Sequence, residues 1–227
     1  MQGMVIPVEK ILLSWSGGKD CSLAHYYIQE AKAYEIVALL TTVTDGYDRV
    51  SMHGVRRTLL ERQGESLGLP LQKVYIPKDS TDKDYESRMR DVLLAYQGKD
   101  INAVAFGDIF LEDVRRYREE KLAQIGMEAI FPLWKRDTTE LIRSFIDLGF
   151  KALVTCVDSK VLDSSFAGKV INYGFVSSLP PHVDPNGENG EFHSFVIDGP
   201  IFRKKINVSP GEVVLRDSFY FCDLLPG

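Results

Sequence analysis

Ser14-Trp15-Ser16-Gly17-Gly18-Lys19-Asp20-Cys21-Ser22 is the stretch that decides how this chain reads. It lies between a short apolar run, Ile11 to Trp15, and a segment in which Leu23, Tyr26 and Tyr27 recur at helical spacing. A turn from strand into helix that carries two glycines lets consecutive backbone N–H groups face an anion at the positive end of the helix. Lys19 adds a mobile cation, and Ser14, Ser16, Cys21 and Ser22 put hydroxyl and thiol groups around it. The spacing is not that of a Walker loop, which needs glycine where Leu13 stands and Ser or Thr where Asp20 stands, and no G-x-G-x-x-G follows the strand. The run reads as a phosphate-binding turn. The plainer alternative is an ordinary strand-to-helix turn with a solvated Lys19. Asp20 has two readings of equal weight: it orients Lys19 or a magnesium-bound water, or it is an acidic helix cap.

Outward from this turn, short apolar runs alternate with helical patterns, as in βαβ units around a parallel sheet. Strands are predicted over Ile11 to Trp15, Ile36 to Val43, Leu71 to Ile76, Ile101 to Phe106, Ala129 to Leu133 and Ala152 to Cys156. Helical stripes lie at Val55, Leu59 and Leu60, at Tyr85, Met89, Val92, Leu93 and Tyr96, and at Leu141, Ile142, Phe145 and Ile146. After about residue 158 the rhythm changes. Leu179-Pro180-Pro181-His182 and a cluster of Gly, Asn and Asp lead into a strand over Phe192 to Ile197, and Asp198-Gly199-Pro200 turns the chain into another over Ile201 to Ile206. The expected fold class is α/β, a doubly wound and mainly parallel sheet followed by a smaller β-rich α+β lobe. The expected division is an α/β domain carrying the phosphate-binding turn over residues 1–135 and a smaller lobe over 136–227, with substrate held in a cleft between them.

Composition limits the function. At 227 residues, 44% hydrophobic and 26% charged, the chain builds a packed core and is not of a disordered class. A net charge of -5 argues against a surface made for nucleic-acid backbone, so nucleic acid is not an expected partner. Cys21, Cys156 and Cys222 show no CxxC spacing, and reduced cytoplasmic thiols fit best. No apolar run reaches the length of a membrane span, and the start lacks a signal-peptide pattern, so a cytoplasmic protein without membrane contact is expected. A homodimer is compatible with this reading.

Within this stretch, Ser16-Gly17-Gly18-Lys19-Asp20 is similar to the PP-loop of N-type ATP pyrophosphatases, the superfamily of the asparagine, GMP and argininosuccinate synthetases. Three further stretches narrow the resemblance: Pro132-Leu133-Trp134-Lys135-Arg136-Asp137, Leu162-Asp163-Ser164-Ser165-Phe166-Ala167-Gly168-Lys169, and Gly187-Glu188-Asn189-Gly190-Glu191-Phe192-His193-Ser194. With the loop they resemble the diphthine–ammonia ligase family and its bacterial relatives, along nearly the whole chain. The resemblance implies a HUP-like PP-loop fold, with ATP and Mg2+ as cofactors. It also implies a reaction in which ATP activates a carboxylate acceptor as an adenylate and ammonia displaces AMP; diphthine on elongation factor 2 is the family's acceptor.

For the site, the resemblance implies Lys19 and Asp20 as catalytic residues. Thr41 and Thr42 fall where relatives contact adenosine, His53 follows on the next loop, and Gly107-Asp108 ends a strand where a carboxylate reaches substrate or magnesium. Trp134, Arg136, Asp137, Glu188, Asn189, Gly190, Glu191 and His193 stand as acceptor-binding candidates, with no metal ligand assigned. Plainer readings accompany them: a core tryptophan for Trp134, helix caps for His53 and Asp108, and a solvated hairpin face for Glu191 and His193. Arg115, Arg116 and Arg118, interleaved with Glu112, Asp113, Glu119 and Glu120, read as a solvated helical face from which one arginine can turn to phosphate. The chain departs from the family at Cys21, where serine is usual. It departs again at Glu112-Asp113-Val114-Arg115-Arg116, where diphthine ligases carry Ser-x-Tyr-Gln-Arg, so the identity of the acceptor stays open. A tRNA-modifying relative and an ATP-binding sensor without turnover are the rival readings.

Overall fold

In β1 (Glu9–Ser14) the side chains alternate between two cores. Ile11 and Leu13 join one apolar cluster, and Leu12 joins the other. All three are fully buried, which is possible only for a strand covered on both faces. The structure, a computed structural model, describes residues 8–45, 49–50 and 54–227.

Parallel strands flank β1 on both sides. β2 (Tyr34–Thr44) and β4 (Leu71–Ile76) lie on one side, β5 (Ala103–Ala105) and β6 (Glu128–Ile130) on the other. A two-residue strand, β3 (Arg49–Val50), pairs antiparallel with the end of β2. The winding direction therefore reverses at β1, and its carboxyl end is the switch point where open α/β sheets leave a crevice. Helices α3 (Asp82–Gln97) and α4 (Glu112–Ala123) cover one face through Leu93 and Leu122. The other face packs on α1 (Lys19–Ala31), α2 (Arg57–Leu67) and α5 (Thr138–Asp147).

That second core runs without a break into a four-stranded antiparallel sheet, ordered β8 (Phe192–Asp198), β7 (Lys151–Asp158), β10 (Phe219–Pro226), β9 (Val208–Arg216). The short helix α6 (Tyr173–Ser178) buries Phe175 against Phe192. Among the described residues no helix is long and apolar enough to cross a membrane.

Two expectations need correction. The run Ala152 to Cys156 belongs to the antiparallel sheet and not to the parallel one; residues 152–157 of β7 are all buried, so it reads like a strand enclosed between helices. Ile201 to Ile206 is not a strand. Ile201 and Ile206 are buried, but the backbone between them bonds to α2: Arg203 N donates to Ser66 O at 3.0 Å, and Lys204 N donates to Ser66 Oγ at 3.0 Å. The hairpin of β9 and β10 is additional to the expected elements. It turns at Asp217 and Ser218, with φ of 47° and 71°, without the glycine that usually advertises such a turn.

Candidate active site

The glycine-rich turn sits at the carboxyl end of β1, wedged between the two sheets. Gly17 takes φ +81°, and a Cβ there would fall 2.7 Å from the Gln63 side chain. Its carbonyl accepts from Val196 N of β8 at 2.9 Å and from Gln63 Nε2 at 3.1 Å. The fully buried Gln63 ties three elements together, since its Oε1 accepts from Trp15 Nε1 at 2.9 Å and its Nε2 also donates to Val196 O at 2.6 Å.

Helix α1 starts here with Gly18 as its N-cap and no side-chain cap. Its first N–H groups are thus not claimed by a cap of its own, as an anion site requires. Gly18 N donates to Ser16 Oγ at 3.3 Å and Lys19 N to Ser194 Oγ at 3.2 Å, weak neutral partners of the kind a phosphate oxygen outcompetes. Cys21 Sγ and Ser22 Oγ both donate back to Gly18 O, at 3.1 and 2.8 Å. They shape the turn from within. Burial pushes the Cys21 thiol pKa up, so it stays a neutral thiol.

Lys19 is only 3% exposed. Its Nζ donates to Asp20 Oδ2 at 2.8 Å and lies 5.5 Å from the centre of the Phe192 ring. The plainer reading of Lys19 as a solvated surface lysine is therefore incorrect. Asp20 is not the cap; it bridges Lys19 and, through Oδ1, the Asn186 Nδ2 donor at 2.8 Å.

A cavity of about 700 Å³ opens beside the turn, between the sheet edge and helices α3 and α4. Ser14, Ser16, Thr41 and Thr42 stand at the strand ends, and Met89, Leu93 and Phe106 give it apolar walls. Thr41 is buried, and among the described residues its hydroxyl has no hydrogen-bond partner. Arg118 also lines the cavity, 4.2 Å from the Phe106 ring, with Nε 3.2 Å from Asp108 Oδ2. His53 lies outside the described residues.

Gly107 closes the other side. A Cβ on it would fall 2.9 Å from the backbone of Asp20 and Cys21, so only glycine lets the exit of β5 lie against the start of α1. That contact brings Asp108 to the turn. The loop ending in β8 adds Glu188, whose Oε1 accepts from Ile109 N at 3.0 Å. Burial, with Asp20 and Asp108 nearby, pushes the Glu188 carboxyl up to about 7, against the opposing pull of Ile109 N and Lys19. Burial also raises Asp108, with Arg118 opposing and Asp20 adding to the rise.

The remaining acceptor candidates divide. Glu191 is buried and accepts from Asp184 N, Asn189 N and Asn189 Nδ2 at 3.0, 2.9 and 3.0 Å, so its carboxylate folds its own loop and is not on a solvated face. Gly190, at φ +87°, supplies the bend. His193 is partly buried, and burial followed by the Lys19 charge lowers its pKa to about 4, leaving a neutral imidazole at pH 7. Trp134 lies under the Arg115 guanidinium at 4.6 Å and lines a shallow surface groove with Glu112, Arg116 and Glu119. Arg136 lies over the Tyr27 ring at 4.2 Å.

Asp137 caps α5, accepting from Glu140 N at 2.9 Å. Asp137→Ala is accordingly expected to cost about 1 kcal/mol in a urea unfolding curve, a typical cap loss, while leaving the KM for every substrate unchanged. A raised KM at full stability would return Asp137 to the site.

The spacing of motifs did not point to Gln63, Asn186 or Ser194. Ser194 closes the run that begins at Gly187, but Gln63 and Asn186 carry no local pattern that marks a loop anchor. Among the described residues, no group of three or more His, Cys, Asp or Glu side chains is gathered closely enough to hold a metal ion. A magnesium ion would come with the ATP phosphates it binds.

Comparison with known proteins bears on this geometry. The diphthamide synthase N-terminal domain model matches residues 9–129, and the diphthamide synthase C-terminal domain model matches residues 137–224. A human protein named diphthine–ammonia ligase is 26% identical, over 91% of this chain and 85% of its own length. The zebrafish (Danio rerio) protein of that name is 28% identical, over 91% and 89%. The fission yeast (Schizosaccharomyces pombe) protein of that name is 26% identical over 95% of this chain but only 38% of its own length. Among solved structures, the U34-tRNA thiolase NcsA from Methanococcus maripaludis superimposes with a TM-score of 0.39 and 14% identity, over 66% of this chain and 61% of the other.

Proposed function

This chain belongs to the diphthamide synthase family, and from that premise we propose that it is an ATP-dependent amide ligase that forms AMP and pyrophosphate. The observation that carries the reading is the uncapped start of α1 with Lys19, opening beside a cavity of about 700 Å³ at the switch point of the sheet.

In this reading the adenosine occupies the cavity, with its polar edge on Thr41 and Thr42 and its base against Met89, Leu93 and Phe106. The phosphates reach the turn, where the α1 N-terminus and Lys19 meet the charge that grows on the leaving group. Lys19 Nζ leaves Asp20 for phosphate when ATP binds. An acceptor carboxylate oxygen attacks the α-phosphate, and the bond to the β-phosphate breaks. Ammonia then attacks the carbonyl carbon of the adenylate; the C–N bond forms, the C–O bond breaks, and AMP departs. Burial of Lys19, Asn186 and Phe192 keeps water from that carbonyl. The relatives' name makes diphthine on elongation factor 2 the first acceptor to try. The departure at Glu112-Asp113-Val114-Arg115-Arg116, which lies against the Trp134 groove, favours a second, a different carboxylate drawn from a fractionated metabolite extract.

The test supplies magnesium-ATP and ammonium with each acceptor and identifies the nucleotide products. AMP with pyrophosphate, dependent on acceptor, is expected. ADP with phosphate would rule the reading out.

A further inference from the structure

Three carboxylates and two cations meet behind the glycine-rich turn. Asp20 pairs with Lys19 and Asp108 with Arg118, while Glu188 forms no salt bridge among the described residues and is held by Ile109 N. Contacts bring them together: Gly107 packs on the Asp20 backbone, Asp108 follows Gly107, Glu188 bonds the residue after Asp108, and the charges of Asp20 and Asp108 both reach the Glu188 carboxyl. With all three acids ionised the cluster lacks one positive charge.

It also has more hydrogen-bond acceptors than donors. Asn186 is fully buried, and its Nδ2 is committed to Asp20 Oδ1, but among the described residues its Oδ1 has no hydrogen-bond partner. Because the two ends of one amide sit side by side, that oxygen lies beside Asp20. Reversing the amide would only turn the oxygen onto the Asp20 carboxylate. Asp108 Oδ2 is buried too and makes no hydrogen bond, since the Arg118 guanidinium approaches it off the bonding axis. Leaving the Asn186 oxygen unpaired costs about 1–3 kcal/mol, and Asp108 Oδ2 keeps its ion pair but no aligned donor, so the cluster suits a donor that arrives with a charge.

We infer that the pocket lined by Asp20, Asp108, Asn186 and Glu188 binds ammonium ion and removes its proton. Ammonium is small, carries the missing charge and donates four N–H bonds, and among the described residues these acids form no group arranged to hold a metal ion. The inference rests on the amide-ligase reading, because such an enzyme must turn ammonium into ammonia beside the adenylate. One N–H proton passes to the Glu188 carboxylate, and ammonia keeps the electron pair. Ammonia attacks the adenylate carbonyl; as the C–N bond forms and AMP leaves with the C–O electrons, a second proton passes to water. Glu188 then returns its own proton to solvent. Its carboxyl, held at about 7 by burial with Asp20 and Asp108 and countered by Lys19, is matched to a proton taken and released near neutrality.

The test needs no acceptor. The thermal unfolding midpoint is followed as ammonium chloride is added, against sodium chloride and tetramethylammonium chloride at equal ionic strength; tetramethylammonium carries the charge without N–H donors. A saturable rise specific to ammonium is expected in the wild type. In the isosteric Glu188→Gln, which keeps the Ile109 bond, the affinity is expected to fall by about tenfold, the loss of a charge-assisted hydrogen bond. Wild-type affinity should also climb as pH rises through about 7, and the Gln variant should lose that dependence. Absence of an ammonium-specific rise, or the same rise and pH profile in Glu188→Gln, would overturn the inference. It fails separately from the ligase reading: ammonium binding without AMP formation leaves the site and removes the ligase, and AMP formation without ammonium binding does the reverse.

Discussion

Lys19→Ala is expected to lower AMP and pyrophosphate formation by about 10²–10³-fold, equivalent to roughly 3–4 kcal/mol of lost charge stabilisation in a dry site. The size follows from where the ammonium group sits. At 3% exposure, Lys19 Nζ is screened from water by Phe192, and its pairing with Asp20 at 2.8 Å can be exchanged for a phosphate at small cost. In the proposed ligase reaction the charge at the helix start would act on the leaving pyrophosphate together with the α1 dipole, and alanine removes only the first of these. ATP affinity should therefore fall less than turnover. Asp20, 28% exposed and still bonded to Asn186, tolerates loss of its partner, so the unfolding midpoint should change little. The measurement is product formation at saturating ATP, alongside ATP binding by calorimetry. Turnover within a few-fold of wild type would mean that phosphate is bound elsewhere.

Much of this was legible beforehand, for a physical reason. Parallel strands covered on both faces are short apolar runs, so β1, β2 and β4 announce themselves, and the glycine turn after β1 marks its own place at the switch point. The Glu188 run also stands out in the sequence, because no core requires glycine-flanked carboxylates. What the chain does not announce are the partners of those residues. Glu191 and Glu188 are the same residue type three positions apart. One folds its loop through three donors and the other reaches across to Ile109, a difference set entirely by long-range packing. The β9–β10 hairpin is hidden for a local reason: its turn is Asp217-Ser218, and Pro210-Gly211 interrupts the apolar alternation of β9. Residues 201–206 mislead in the opposite direction, with two buried isoleucines at strand-like spacing on a segment whose backbone is bonded to α2.

Gln63→Leu is the sharpest test of what holds the turn in place, and it is expected to cost about 3–4 kcal/mol of stability. Leucine is of similar size, so most of the loss is polar. Trp15 Nε1 loses its Gln63 partner, Val196 O loses the 2.6 Å donor, and Gly17 O keeps only Val196 N. These groups are buried where no water replaces the amide, and they span β1, the glycine turn and β8. ATP affinity should fall with stability, because Gly17 and Gly18 are the residues released. Gln63→Glu separates donor from acceptor. A carboxylate can still accept from Trp15 Nε1, but it offers nothing to Gly17 O or Val196 O, and it places a negative charge against both carbonyl oxygens. It should be worse than leucine at pH 7. Burial raises the pKa of such a carboxyl, so lowering the pH protonates it and restores a donor; the deficit of the Glu variant should narrow as pH falls, while that of the Leu variant stays level. Urea unfolding of both variants at pH 7 and pH 5 decides the matter. Equal, pH-independent losses would mean that Gln63 contributes volume alone, and that the turn is held by the Val196 backbone bond without it.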